Sequence, residues 1–147
     1  MSIRFNNEAA MQLWLSEEFN ADKTLSDLIF NEDDFLKNTT DGIIESKVFK
    51  SFEYCLHSLR LHNTISEDEN ISIKEGESLK PDFVLYAPET QSMIIVELKN
   101  IPNPTRQAGT EVSAYSSEIK SYIPFISDGD IINVIISNDW PTLLRHY

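Results

Sequence analysis

One cysteine, Cys55, stands in a chain of 147 residues. That excludes an internal disulfide and a multi-cysteine zinc site. Glycine and proline number only four and six, so a collagen-like or low-complexity chain is excluded as well. No apolar run approaches the roughly 20 residues of a membrane-spanning helix. The N-terminus, MSIRFNNEAA, lacks the apolar core of a signal peptide. A cytoplasmic protein with no membrane association is expected. Histidines are few, and His57 and His62 fall on different faces of one helix, so they make no metal pair. Basic residues are the most telling shortage. Twelve Lys and Arg stand against 24 Asp and Glu, for a formal charge of −12. A field of that sign repels nucleic acid.

What remains is ordinary globular material. Hydrophobic residues make up 41% of the chain, and a domain near this length buries roughly 70% of its unfolded surface. One compact unit is expected, with no internal repeat and no Gly/Ser linker. Residues 7–19 read as an amphipathic helix with Ala10, Leu13, Trp14 and Phe19 on one side. Thr24 or Ser26 can cap a second short helix through Leu28 and Ile29. The acidic run Glu32, Asp33, Asp34 suits a solvated turn. Residues 1–40 are thus predicted to form an N-terminal helical extension, and 41–147 the main domain.

The clearest helix spans 41–62. Ile44, Val48, Phe52, Cys55, Leu56 and Leu59 form its apolar stripe. A polar connection follows at 66–70, and Ile71–Lys74 alternate as a strand does. PDFVLY (81–86) and SMIIVEL (92–98) read as two central strands of a hairpin, because both faces of each are mostly apolar. A helix is predicted from about 105 to 122, with Ala108, Val112, Tyr115 and Ile119 on one face. IINVIIS (131–137) is the last strand, and Asn138 or Asp139 can start a final short helix. The order after the extension is α-β-β-β-α-β, an α/β fold with one mixed sheet flanked by helices.

The chemistry concentrates between Pro81 and Lys99. With the hairpin turn at 88–91, opposed residues sum to 179, so Asp82 faces Glu97. Opposed residues in an antiparallel pair share a face, and strand period two adds Lys99 to it. Two carboxylates and one ammonium then converge at one end of an apolar hairpin. Glu45 lies inside the apolar stripe of the 41–62 helix, with Glu53 on its flank. A carboxylate aimed at a core is costly unless paired or bound to a cation, which makes Glu45 a candidate third acid; a favourable charge near the helix start is the other reading. Carboxylate oxygens from separate elements suit Mg²⁺ or Mn²⁺. Such a cation can bridge a phosphate and activate a water.

Asp82-x14-Glu97-x-Lys99, with Pro81 just before, resembles the PD-(D/E)XK nuclease superfamily over roughly residues 41–137. The resemblance implies a restriction-endonuclease-like fold and Mg²⁺-dependent cleavage of phosphodiesters, with DNA as the expected substrate. It implies that Asp82, Glu97, the Leu98 carbonyl and the helix acid Glu45 are metal ligands, and that Lys99 positions or polarises the attacking water. Many exonuclease-like members carry Gln-x-x-x-Tyr on the following helix. Here Glu111-x-x-x-Tyr115 stands at that place, with Gln107 one turn earlier and Arg106 beside it. These four are the candidate substrate-binding residues. For Gln107 and Glu111 the competing reading is a solvated helix face, and for Tyr115 a core aromatic.

The chain ends soon after the core, at Leu143-Leu144-Arg145-His146-Tyr147. By family analogy it is expected to be the nuclease domain of a longer protein, for example a bacterial or phage defence effector. The −12 charge implies that a second copy, a partner subunit or a further domain grips the DNA. The alternative is a non-catalytic protein-binding module that retains the nuclease fold and turns its acidic surface to a basic partner.

Overall fold

The computed structural model describes residues 5–29, 43–76, 78–100 and 107–137. Three α-helices are present among them: α1 (Glu8–Asn20), α2 (Ile43–Ser58) and α3 (Gln107–Tyr122). Four strands, β1 (Asn63–Glu67), β2 (Phe83–Ala87), β3 (Ser92–Lys99) and β4 (Ile131–Ser137), form one sheet in the order β1-β2-β3-β4. The first two pairings are antiparallel and β3–β4 is parallel. A parallel neighbour cannot be reached by a tight turn, and α3 supplies the crossover. The chain is an α/β protein with a mixed sheet, and no helix among the described residues is long and apolar enough to cross a membrane.

Strand period two sorts the central side chains into two cores. Phe83, Leu85, Ile94, Val96 and Leu98 point to one side, where Met11 and Leu15 of α1 and Leu25 cover them. Val84, Met93 and Ile95 point to the other, against Val112, Tyr115 and Ile119 of α3. Each such side chain, taken fully from water, contributes roughly 1.5–3 kcal/mol. The N-terminal segment is therefore not an appendage. Leu15 is fully buried, and α1 closes one face of the sheet. Its start is fixed by Asn7, whose side-chain oxygen accepts the Ala10 N–H at 2.8 Å.

Several local expectations are corrected. The predicted strand at Ile71–Lys74 is a loop. The Ile71 N–H bonds the Leu79 carbonyl, the Tyr122 hydroxyl donates to the Ile71 carbonyl, and the Glu118 carboxylate takes the Ile73 N–H. The first strand is instead Asn63–Glu67, which pairs with β2 through a bulge between Thr64 and Ser66. Helix α2 accordingly stops at Ser58 and not at 62. The expected apolar stripes hold only in part: Trp14, Phe19, Cys55 and Leu59 pack on the core. Leu13 is 60% exposed, and Val48 and Phe52 are about half exposed, at 50% and 55%. Met11 and Leu15 carry the buried side of α1, and Tyr54, Cys55 and Leu59 pack on the core from α2 and its end. His62, expected on the same helix as His57, lies beyond its end. It is half-buried, and its Nε2 accepts the Leu25 N–H at 3.0 Å. Residues 32–34, Trp140 and the final helix expected from 138 lie outside the described residues.

Candidate active site

The hairpin register follows the expected sum. Phe83 faces Val96 and Ala87 faces Ser92. One step beyond the last paired residues, the same register sets Asp82 opposite Glu97. Odd-numbered residues of β3 face α3. The first of them, Met93 and Ile95, are apolar and sit in the core beneath that helix. The last two, Glu97 and Lys99, are charged, yet they are only 5% and 9% exposed. Two ionisable groups have been carried into a nearly dry place.

Their partners come from separate elements. The Lys99 Nζ lies 3.2 Å from Glu97 Oε1 and 3.2 Å from Glu111 Oε2 on α3. The Asp82 carboxylate accepts the Leu98 N–H at 2.7 Å. Glu97 Oε2 is buried and has no hydrogen-bond partner. Its charged surroundings are mainly carboxylates, with Lys99 the single ammonium between Glu97 and Glu111. The titration behaviour follows. Burial, then Glu111 and Asp82, push Glu97 up to about 9 against the pull of Lys99. Burial raises Asp82 to about 6, although the Leu98 N–H favours its charged form. For Lys99, burial acts downward, but Glu97 and Glu111 outweigh it and the ammonium is held above its ordinary range. The site relieves its crowding of carboxylates by holding protons: three acids stand against one ammonium, and the most buried of them, Glu97, is the last to ionise.

Pro81 adds a backbone feature. In the register above it stands opposite Leu98. Paired residues of an antiparallel ladder exchange N–H and C=O on the shared side. Pro81 has no N–H to give. Asp82 takes the Leu98 N–H in place of a β2 carbonyl, and the ladder supplies no donor to the Leu98 carbonyl.

No family model, curated protein or solved structure matches this chain.

The structure brings Asp82, Glu97, Lys99 and Glu111 together, with the Leu98 main chain between them. Glu111 sits on the lysine rather than on an open surface for substrate. Tyr115 is in the core at 6% exposure, and its hydroxyl donates to the Lys80 carbonyl at 3.4 Å. Burial and the surrounding carboxylates raise its phenol. Arg106 lies outside the described residues, as do the side chains of Glu45 and Gln107, which sit in the first turns of α2 and α3. Glu53 is at the other end of the hairpin, beside Tyr54, His57, Arg60 and Thr90 in a surface depression. Sequence reading gave Pro81 no role beyond its place in the motif. Its position opposite Leu98 in the hairpin register was the available signal.

Among the described residues, no three His, Cys, Asp or Glu side chains are grouped to hold a metal ion by themselves. That does not count against Mg²⁺, which keeps several waters and takes one or two carboxylates. Asp82, Glu97 with its orphaned oxygen, and the Leu98 carbonyl make a donor set of that kind. All three are hard oxygen ligands, as Mg²⁺ and Mn²⁺ require.

Proposed function

We propose that this chain is a Mg²⁺-dependent phosphodiester hydrolase of the PD-(D/E)XK, restriction-endonuclease-like type, acting on DNA. The observation that carries the reading is the buried Glu97, one oxygen on Lys99 and the other unpartnered, in register with Asp82 at the open end of an apolar hairpin. A carboxylate left short of partners in a dry site calls for a cation. The α-β-β-β-α-β order with a parallel last strand supports the same reading. Mn²⁺ would serve in place of Mg²⁺.

In this reading Asp82, Glu97 and the Leu98 carbonyl would hold the cation, and Glu45 of α2 would be the helix acid that the resemblance to the family adds. A bound divalent ion lowers the pKa of its water and screens the phosphate. With such an ion bound, Lys99 would orient the attacking water and stabilise charge growing on the phosphate oxygens. Burial keeps the ammonium pointed and strengthens its field. A net charge of −12 opposes DNA, so the grip falls to a second copy, a partner subunit or a further domain. The nuclease unit of a bacterial or phage defence effector fits that arrangement. One observation favours the non-catalytic module: Lys99 is held by two acids, a pairing that could serve the fold alone.

A plasmid-nicking assay separates the two. Cutting that needs Mg²⁺ or Mn²⁺, stops with chelator and stops in Glu97→Ala and Lys99→Ala while both variants stay folded supports the hydrolase. Folded wild-type protein that binds neither ion and cuts neither DNA nor RNA supports the module.

A further inference from the structure

We propose that Glu111 is a positioning residue of this site, holding the Lys99 ammonium in place from α3 so that it keeps its aim when Glu97 turns its charge to a cation. The inference rests on the hydrolase reading and adds to it a residue whose partner is the lysine and not the substrate.

The geometry is two-sided. Lys99 stands between Glu97 Oε1 on its own strand and Glu111, whose two oxygens lie 3.2 and 3.4 Å from Nζ. Lysine has a flexible four-carbon stem and loses about 2 kcal/mol of rotamer freedom when fixed. Glu97 cannot hold it alone, because a ligand to a cation gives that ion most of its charge. Glu111 remains as the second anchor. It is well placed for the task. Val112, next to it in the chain, and Tyr115 are 5% and 6% exposed and lock α3 onto the sheet. An anchor on a packed helix holds a functional group more closely than one on a loop. Direct service to the substrate is opposed by charge, since a carboxylate and a phosphate repel. A merely solvated Glu111 would not reach across to a strand residue that is itself nine-tenths buried.

The test uses wild type, Glu111→Gln and Glu111→Ala of the whole chain. Cleavage kinetics, Mn²⁺ binding by calorimetry and ¹⁵N NMR of lysine side chains are compared. Glu111→Ala is expected to lower kcat by at least tenfold with KM unchanged or lower, and Glu111→Gln, which keeps an acceptor oxygen, by less. Mn²⁺ affinity should stay within about twofold. The Lys99 ammonium resonance, slow to exchange with water in the wild type, should vanish in Glu111→Ala. A variant that keeps both that resonance and its kcat overturns the assignment and leaves the hydrolase reading standing. Loss of Mn²⁺ binding in Glu111→Gln also overturns it, because Glu111 would then be a ligand. Wild-type protein that cuts nothing ends the hydrolase reading and this role together.

Discussion

The two ends of the central hairpin solve one problem in opposite ways. At the turn end, Ser58 and Ser92 are buried at 1% and 0% exposure. The Tyr54 hydroxyl bonds to Ser92 Oγ and to the Thr90 carbonyl, while Ser58 Oγ donates to the Tyr54 carbonyl and pairs with Thr90 Oγ1 at 2.7 Å. Every one of these groups is neutral and partnered, as buried polar atoms usually are. At the open end the buried groups are Glu97 and Lys99, with Asp82 and Glu111 beside them, and one carboxylate oxygen is left without a donor. The sheet and the hairpin are shared, so the backbone does not explain the contrast. A fold that needed only stability would use the first solution twice. Shifted groups gathered at one place, with an oxygen left unpartnered, are the pattern on which the proposed function rests.

The sharpest way to break this contrast is to remove the acid at the open end. Glu97→Ala should lower metal-dependent cutting by about a thousandfold or more, whereas Tyr54→Phe at the turn end should cut as the wild type does. Equal losses in a nicking assay would show that the two ends do not differ in function.

Next in size is the cost of the unpaired charge. Above pH 9, where Glu97 is ionised, Lys99→Met removes the ammonium between Glu97 and Glu111 and should destabilise the metal-free protein by about 3 kcal/mol. Adding Glu97→Gln to it should restore a large part of that loss. A urea titration of the single and double variants reads both numbers, and strict additivity would refute the coupling.

The pH dependence sharpens the comparison further. Folded Asp82 and Glu97 hold protons up to about 6 and about 9, above their ordinary 3.8 and 4.5. The folded chain thus binds more protons than the unfolded one across that window. Stability is full on the acid side and drains as pH rises through 6 and then 9. The melting temperature of the metal-free protein should fall between pH 5 and 9. Glu97→Gln should remove the upper part of the slope, and Mg²⁺ should oppose it. A wild-type profile flat above pH 7 would contradict the burial argument for Glu97.

The smallest effect belongs to the turn end. Tyr54→Phe deletes a hydroxyl from a satisfied neutral network and should cost about 1 kcal/mol, independent of divalent ions.

Much of the site was legible before the fold was known. A four-residue turn and strand period two set the register by arithmetic, and the pairing of Ala87 with Ser92 bears that arithmetic out. Asp82, Glu97 and Lys99 follow from that alone. β1 was not legible. Asn63–Glu67 offers a single large apolar residue, Ile65, which is 56% exposed, and such a segment becomes a strand only because β2 presents a free edge. Ile71–Lys74 alternates well but meets α3 and its own loop instead of a strand. The stripe on α2 held at its C-terminal end and failed before it: Cys55 and Leu59 pack on the core with Tyr54, whereas Val48 and Phe52 are about half exposed.

Sequence by itself determined what short-range rules govern: which runs could pair in the hairpin, which residues share a strand face, and where charge interrupts apolar runs. Tertiary structure alone decided that Glu111 meets Lys99 across a crossover, that the Asp82 carboxylate takes the Leu98 N–H, and that α1 covers one side of the sheet. Periodicity acts over a few residues and is written in the chain. Desolvation and charge pairing act through space, and take effect only once distant segments have come together.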